Sequence, residues 1–268
     1  MTESVTVQID DRVLEITINR PPANAINPEV ANKIYEALSE LQNNDDLRVG
    51  IVTGQGERIF CAGWDLKEIA SMDSNEDAID HSLDCPGGFA GITELWDLKK
   101  PVIAAVNGMA VGGGFEIALA CDLIVASDHS EFFLPEMQRG FLPDVGAIQH
   151  LPRKLPYNVA MDLLYTGRRM SAAEAQHWGL VAYVEKSDEL LDKARVLAHS
   201  IAKGAPLAMQ ALKEVFPQIQ NLPIQQAFAA TKPGNDDLPI YQQMLMSDDF
   251  MEGARAFAEK RDPVWKGK

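Results

Sequence analysis

The chain has 268 residues, of which 46% are hydrophobic and 24% charged, and its formal net charge is −15. This composition is ordinary for a globular protein that buries a large core, and the acidic balance argues against non-specific binding to nucleic acid or to an anionic membrane. No apolar stretch approaches the length of a membrane span. The three cysteines show no pairing pattern and the first residues show no signal-peptide pattern, so we expect reduced thiols and a cytoplasmic protein.

Hydrophobic periodicity predicts strands and helices that alternate along most of the chain. Alternating apolar residues predict a hairpin over residues 5–18, and Asn27 before Pro28 predicts the capped start of a helix. Residues 72–86 are acidic and polar without a clear period, which predicts a mobile surface loop. The other predicted elements are strands at 49–53, 101–106, 123–126 and 181–184 and helices at 66–69, 115–121, 158–166 and 172–178.

From residue 188 onward the pattern is helical. Strands that alternate with helices indicate an α/β fold, and the fully apolar strand at 101–106 is typical of a parallel sheet that is buried on both faces. We therefore expect an α/β core with the active site over residues 1–200. We expect a helical region over residues 201–268.

Two glutamates lie in apolar sequence, where a carboxylate is costly unless it is paired, hydrogen-bonded or protonated. Glu116 lies two residues after Gly112-Gly113-Gly114, and Glu136 ends the segment Phe133-Leu134-Pro135-Glu136. Bare glycines let the backbone approach a ligand closely, and amides aimed at an oxygen beside two carboxylates make a proton-transfer site with an oxyanion hole. The structural alternative is a glycine-rich loop with one helix-start glutamate and one ion-paired glutamate.

Several other kinds of site are disfavoured. The chain contains neither the phosphate-binding nor the dinucleotide-binding glycine pattern, and it lacks the Gly-x-Ser-x-Gly elbow of esterases. Its five histidines show no metal-ligand spacing, so we expect no metal site. Trp64 stands beside Gly63 in a turn, where a large ring has little packing reason, although ordinary packing remains the alternative.

Four segments resemble, in order, the enoyl-CoA hydratase/isomerase (crotonase) superfamily, and Arg20-Pro21 and Asn24-Ala25 fit the same pattern. The segments are residues 60–66 (FCAGWDL), 101–108 (PVIAAVNG), 112–116 (GGGFE) and 134–136 (LPE). The resemblance implies a crotonase (ClpP-like) spiral of ββα units with a C-terminal helical region that builds a trimer, usually paired into a hexamer. It also implies a CoA thioester substrate, with coenzyme A present as part of that substrate and no tightly bound cofactor.

The resemblance assigns roles to the residues of the site. The backbone N–H groups of Ala62 and Gly113 are expected to bind the thioester oxygen, and Glu116 and Glu136 to act as acid and base. In the hydration direction Glu116 would activate water and Glu136 would protonate the α-carbon, and the opposite division is also open. Residues expected to contact substrate or CoA are Ala25, Gly63, Trp64, Asp65, Leu66, Lys67, Phe89, Gly112, Phe115, Phe257 and Lys260.

Within the superfamily, four further segments resemble the branch that interconverts carnitinyl-CoA and crotonobetainyl-CoA. They are residues 63–67 (GWDLK), 87–91 (GGFAG), 166–170 (TGRRM) and 256–267 (AFAEKRDPVWKG). Trp64, with Phe89 and Phe115, would then form an aromatic surface for a trimethylammonium group. The segment 145–148 (VGAI), after Pro143-Asp144, contains less glycine than in many members, so the helix that begins there could meet the acyl pocket differently.

Four alternatives stay open at this point. They are a general enoyl-CoA hydratase, a Δ3,Δ2-enoyl-CoA isomerase, a non-catalytic crotonase-fold protein that binds RNA or a partner, and a glycosidase with paired carboxylates. Isomerases usually need one base, so the presence of both Glu116 and Glu136 favours hydration. The acidic net charge and the intact pair of glutamates count against the binding protein, and no glycosidase pattern is visible.

Overall fold

The computed structural model describes residues 3–74, 76–77, 85–234 and 237–268. The strands are β1 (Val5–Asp10), β2 (Val13–Ile18), β3 (Val49–Gly54), β4 (Ile59–Cys61), β5 (Val102–Val106), β6 (Met109–Val111), β7 (Leu123–Ser127), β8 (Glu131–Phe133), β9 (Met170–Ser171) and β10 (Tyr183–Glu185). The α-helices are α1 (Pro28–Asn43), α2 (Leu66–Ile69), α3 (Gly113–Ala120), α4 (Ala147–Lys154), α5 (Tyr157–Thr166), α6 (Ala172–His177), α7 (Leu190–Ala202), α8 (Pro206–Ile219), α9 (Ile224–Ala230), α10 (Pro239–Met246) and α11 (Asp248–Glu259). Short 3-10 helices cover Phe89–Gly91 and Glu136–Arg139.

The strands form two sheets that the chain visits in turn. The larger sheet has the order β1-β2-β3-β5-β7-β10, and the smaller one has the order β4-β6-β8-β9. Each of the pairs β3/β4, β5/β6 and β7/β8 supplies one strand to the larger sheet and the next to the smaller sheet. Every neighbouring pair is parallel except β1/β2 and β8/β9. This path is the spiral of ββα units that the sequence predicted, and the predicted α/β fold class is confirmed.

The core explains why the central strands are apolar throughout. On β3, Ile51 and Val52 are adjacent and fully buried, yet they belong to separate hydrophobic clusters on opposite faces of the larger sheet. The helix α7 covers one face with Leu190, Ala194 and Ala198. The other face packs against the larger cluster, which includes the buried phenylalanines near the glycine-rich segment.

Most predicted elements agree with the structure to within two residues. Asn27 caps α1 as predicted, since its Oδ1 accepts a hydrogen bond from Val30 N at 3.1 Å. The helix predicted at 115–121 begins earlier, at Gly113. The strands β6, β8 and β9 were not predicted, because segments of two or three residues are too short to show an alternating pattern. Of the loop predicted at 72–86, residues 75 and 78–84 lie outside the described residues.

The C-terminal helices pack against one another through polar contacts at their ends. The carboxylate of Glu214 on α8 accepts hydrogen bonds from Ile240 N (3.1 Å) and Tyr241 N (2.9 Å), which satisfies the first turn of α10. Asp249 on α11 accepts from Lys266 N and Gly267 N, both at 2.8 Å, and so holds the end of the chain against that helix.

Two properties of the described residues bear on the kind of protein this is. None of their helices is both long enough and apolar enough to cross a bilayer. Within the same ranges, no group of three or more His, Cys, Asp or Glu side chains is arranged to hold a metal ion. The division at residue 200 and the role of the C-terminal helices in assembly stay predictions.

Candidate active site

The candidate site lies where three parallel strands of the smaller sheet end. The strands β4, β6 and β8 run side by side in the same direction, so their carboxyl ends meet at one edge. The turn after β4 carries Ala62 and Trp64, the turn after β6 carries Gly112 and Gly113, and Glu136 follows β8. Ligands in parallel α/β proteins commonly bind outside the carboxyl ends of strands, and the motifs of this sequence converge at such an edge.

A cavity of 120 Å³ opens at this edge. It brings together both predicted glutamates, both predicted amide donors and several predicted contact residues. Its lining consists of Ala62, Trp64, Leu66, Val111, Gly112, Gly113, Glu116, Pro135, Glu136, Arg139, Phe141, Leu142, Asp144 and Val145.

Glu116 reaches this cavity from the first turn of α3. Its side chain is only 2% exposed, and its Oε1 accepts a hydrogen bond from Ala147 N at 2.9 Å. Burial, and to a smaller extent the charges of Glu136 and Asp144, raise the pKa of Glu116 to about 8, although the hydrogen bond from Ala147 N opposes this rise. Glu116 therefore holds a proton at neutral pH.

Glu136 faces the same cavity from the first position of its 3-10 helix. Its Oε2 is buried and accepts no hydrogen bond from any described residue. Burial raises the pKa of Glu136, whereas its own backbone amide and the charge of Arg139 lower it. A buried carboxylate oxygen without a donor is costly in a folded protein, so a functional reason for Glu136 is favoured over a structural one.

The glycines at the cavity are required by close contacts. Gly112 has φ +55°, and a Cβ built on it would lie 2.3 Å from Glu136 Oε1. A Cβ on Gly113 would lie 2.5 Å from the ring of Phe89, and one on Gly63 would lie 2.9 Å from Gly113 N. The turns after β4 and β6 therefore touch, and side chains at these positions would push them apart.

The free amide donors of the site are those of Gly113 and Trp64. Gly113 is the first residue of α3, where an amide has no acceptor within the helix. Neither its N–H nor that of Trp64 donates to any other described group. Ala62 N, by contrast, donates to the carbonyl of Ala23 at 3.1 Å. The role predicted for Ala62 requires a free amide, and the amide of Ala62 is already hydrogen-bonded. The amide of Trp64 is free in its place.

The polar residues next to Trp64 stabilise the turn itself. Asp65 caps α2 by accepting from Lys67 N (3.1 Å) and Glu68 N (3.4 Å). Its Oδ2 lies 2.6 Å from Arg20 Nη2, and this bond is the main reason why the pKa of Asp65 is lowered. Arg20 Nη1 also donates to the carbonyl of Ala25 at 3.3 Å. Asp65 and Ala25 thus support the turn, while Lys67 is left exposed beside it.

The three aromatic side chains expected to form one surface are separated. Phe89 stacks on Trp64, with ring centroids 5.7 Å apart and an interplanar angle of 21°. Phe89 lines a smaller neighbouring cavity with Trp64, rather than the cavity of the glutamates. Phe115 is 0% exposed and packs against Phe132 at 5.2 Å between ring centroids. Its ring faces the core, so the expected contact between Phe115 and substrate is not seen.

The two C-terminal residues expected to contact CoA line none of the cavities at this edge. Phe257 is 87% exposed on α11, and Lys260 follows the same helix in the left-handed conformation with φ +53°. Sequence reasoning also missed Arg139 and Asp144 as lining residues. The sequence offered one signal for Asp144. The segment that follows Pro143-Asp144 contains less glycine than in many family members, and such a change alters the residues that face the cavity.

Comparison with known proteins agrees with this arrangement. A family model described as enoyl-CoA hydratase/isomerase matches residues 8–268. The chain therefore belongs to the enoyl-CoA hydratase/isomerase family. Two proteins named carnitinyl-CoA dehydratase, from Proteus mirabilis (strain HI4320) and Salmonella agona (strain SL483), are 47% and 46% identical over 268 residues, with 100% of each chain covered. The resemblance inferred from the motifs is confirmed.

Solved structures of enoyl-CoA hydratases share the fold. The enoyl-CoA hydratase from Mycobacterium tuberculosis H37Rv superposes with a TM-score of 0.88 at 39% identity, covering 99% of both chains. The enoyl-CoA hydratase from Bacillus anthracis also superposes with a TM-score of 0.88, at 33% identity, covering 99% of this chain and 100% of the other. The crotonase fold of this family member is thus established by structure as well as by sequence.

Proposed function

We propose that this member of the enoyl-CoA hydratase/isomerase family is a hydro-lyase that interconverts carnitinyl-CoA and crotonobetainyl-CoA. The observation that carries the proposal is the pair of glutamates facing one cavity beside two free backbone amides. Adding or removing water needs one acid, one base and a binding site for the thioester oxygen. The similarity to proteins named carnitinyl-CoA dehydratase supports the choice of acyl group.

The amides of Gly113 and Trp64 are proposed to bind the thioester oxygen. When the α-proton leaves, negative charge develops on that oxygen, and two fixed donors stabilise it without having to reorient. In comparable sites each donor is worth about 2.7–4 kcal/mol. The dipole of α3 adds to this effect because Gly113 is at its positive end.

The surroundings of the two glutamates suit dehydration. Burial raises the pKa of both, and the charge of Arg139 opposes this rise only at Glu136, so Glu116 is the more readily protonated of the two. We propose that Glu136 takes the α-proton, the α C–H electrons form the carbon–carbon double bond, and the β C–O bond breaks. Glu116 gives its proton to the departing hydroxyl, which leaves as water. Hydration follows the same path in reverse: Glu116 takes a proton from water and Glu136 gives one to the α-carbon. These are the roles that the sequence predicted.

Substrate assays test this proposal directly. Purified protein is given crotonobetainyl-CoA, crotonyl-CoA and a 3-enoyl-CoA side by side, and kcat/KM is measured for each. We expect hydration of both 2-enoyl thioesters, with a preference for crotonobetainyl-CoA. A preference for crotonyl-CoA would make the protein a general hydratase, and turnover of the 3-enoyl-CoA alone would make it an isomerase. No turnover of any of the three would contradict an enzymatic role.

We also propose that the protein is a cytoplasmic homotrimer or hexamer. The thiols of Cys61 and Cys121 are buried and form no disulfide with a described residue, which suits a reducing compartment. On α9, Ile224 and Phe228 are 71% and 70% exposed in the single chain, and exposed apolar side chains of this kind commonly mark a subunit interface. The nucleotide end of CoA is proposed to meet Lys67, and Phe257 and Lys260 to contribute to CoA binding from the C-terminal region.

Light scattering of variants tests the assembly. Phe228→Asp places a charge in the proposed interface and should shift the mass toward that of one chain. Val196→Asp, at another exposed apolar residue on α7, is the matched control and should leave the mass unchanged. A single-chain mass for the unmodified protein would contradict the proposal.

A further inference from the structure

The charged residues that line the active-site cavity are three carboxylates and one guanidinium: Glu116, Glu136, Asp144 and Arg139. Asp144 differs from the two glutamates in its surroundings. It is exposed to solvent at the cavity, and no described donor forms a hydrogen bond or an ion pair with its carboxylate. Only its main chain is engaged, because its N–H donates to Leu142 O and its carbonyl accepts from Gln149 Nε2. The carboxylate of Asp144 therefore lines the cavity without a hydrogen-bond or ion-pair partner among the described residues.

The chemistry of the proposed substrate brings a positive charge to the same place. In carnitinyl-CoA the quaternary nitrogen is bonded to the carbon next to the β-carbon. If the α- and β-carbons lie between the two glutamates, the trimethylammonium group must lie only a few bonds beyond them. A quaternary ammonium donates no conventional N–H hydrogen bond, so an anionic side chain and aromatic ring faces are what recognise it.

We propose that Asp144 is the specificity residue that recognises the trimethylammonium end of the acyl chain, with the ring of Trp64 as its apolar partner. This inference rests on the proposed function. The catalytic glutamates are less suited to this role, because they exchange protons during turnover, whereas Asp144 takes no part in the proposed proton transfers. The charge of Asp144 is felt within the site, since it raises the pKa of Glu116. Trp64 lines the cavity and is held by Phe89 behind it.

Binding of two unreactive thioesters tests the inference. The charged probe is 4-(trimethylammonio)butanoyl-CoA, and the neutral probe is its carbon isostere, 5,5-dimethylhexanoyl-CoA. Neither has a hydroxyl to lose or a double bond to hydrate, so calorimetric titration measures recognition alone. The wild-type protein should bind the charged probe more tightly. Asp144→Asn should weaken binding of the charged probe by about 5- to 30-fold and change binding of the neutral probe by less than about 2-fold.

Two further variants control the experiment. Asp144→Glu keeps the charge and should retain most of the discrimination between the probes. Asp46→Asn removes one negative charge at an exposed turn outside the cavity and should behave like the wild type in both titrations.

Equal loss of both probes in Asp144→Asn would overturn the inference, and so would a wild-type protein that binds both probes equally. These outcomes are separate from those of the hydratase assay. An active hydratase that fails to discriminate between the probes would rule out the role of Asp144 and leave the proposed reaction standing. A protein that discriminates between them but turns over no enoyl-CoA would rule out the proposed reaction.

Discussion

At the scale of single residues, the two glutamates of the cavity are the most direct test of the reaction. We expect Glu116→Gln and Glu136→Gln each to lower kcat by about 10²–10⁴, the range for loss of a general acid or base. Glutamine keeps the shape, and its carbonyl oxygen can still accept from Ala147 N at position 116. Circular dichroism and the Kd of an unreactive thioester should therefore change little. Near-wild-type kcat in either variant would remove that glutamate from the mechanism.

The amide donors can be tested by replacing single backbone N–H groups with ester oxygens. An ester introduced at residue 64 or at residue 113 removes a free donor, and we expect kcat to fall by about 10²–10³ in each case. The same change at Ala62 removes only a hydrogen bond to Ala23, so its effect on kcat should be much smaller. The ultraviolet absorption of a bound enoyl thioester, which reports polarisation of its carbonyl, should follow the same order. A larger loss at 62 than at 64 would restore Ala62 as the donor.

The identity of the free donor shows where sequence reasoning ends at this scale. The motif located the turn and the glycines, because residue types carry that information. It did not distinguish Ala62 from Trp64, since which amide is free depends on the position of Ala23 across the turn. Phe115 was misjudged for a related reason. Phe115 is next to Glu116 in the sequence, but successive side chains of a helix point in different directions. Glu116 points to the cavity and Phe115 points to the core.

At the scale of elements, Asn24 joins the loop before α1 to the edge of the smaller sheet. Its Nδ2 donates to the carbonyls of Ile59 (2.8 Å) and Gln55 (3.1 Å), and its φ is +50°. This loop continues to Ile26, whose amide donates to Gly63 O at 2.8 Å beside the cavity. The side chain of Asn24 therefore helps to place the turn that carries Trp64.

We expect Asn24→Ala to lower the free energy of unfolding by about 2–4 kcal/mol, because it leaves two part-buried carbonyls without this donor and puts alanine, which tolerates positive φ less well than asparagine, at φ +50°. Asn24→Gly loses the same hydrogen bonds but relieves the backbone, so it should be milder by about 1 kcal/mol. Urea denaturation measures both. An alanine variant as stable as the wild type would show that water replaces these hydrogen bonds without cost.

The long elements were predictable and the short ones were not. The helix α1 has both a cap and an apolar face in its sequence, and β5 is apolar throughout, so each is visible locally. The strands β4, β6 and β8 acquire their conformation from pairing with one another across the spiral. Because the site lies at the ends of these three strands, its residues were recognised from motifs, while their geometry needed the fold.

At the scale of the whole molecule, burial of Glu116 makes stability depend on pH. Its ordinary pKa is 4.5, and burial raises the pKa to about 8 in the folded protein. Between these values the folded protein binds a proton that the unfolded chain releases, so this residue lowers the free energy of unfolding as pH rises. Glu116→Gln removes the effect.

The glutamine variant should therefore gain stability over the wild type as pH rises from 5 to 8, on the order of 3 kcal/mol at the upper end, and the two should be similar near pH 4. Melting temperatures across this range measure the difference. Glu36→Gln, at an exposed position of α1, is the control and should track the wild type. A constant difference at every pH would mean that Glu116 does not change its protonation on folding.

Position 64 combines two properties that proteins usually keep on separate residues. Its proposed contribution to the reaction is a main-chain amide, which every residue except proline possesses. Its side chain lines the cavity of the two glutamates and stacks on Phe89. Substitutions at this position can therefore alter which thioesters are accepted while the donor itself is inherited unchanged. Substitutions at residue 64 can therefore change the substrate preference during evolution without loss of the reaction. A library of variants at this position should contain many active enzymes with altered preferences.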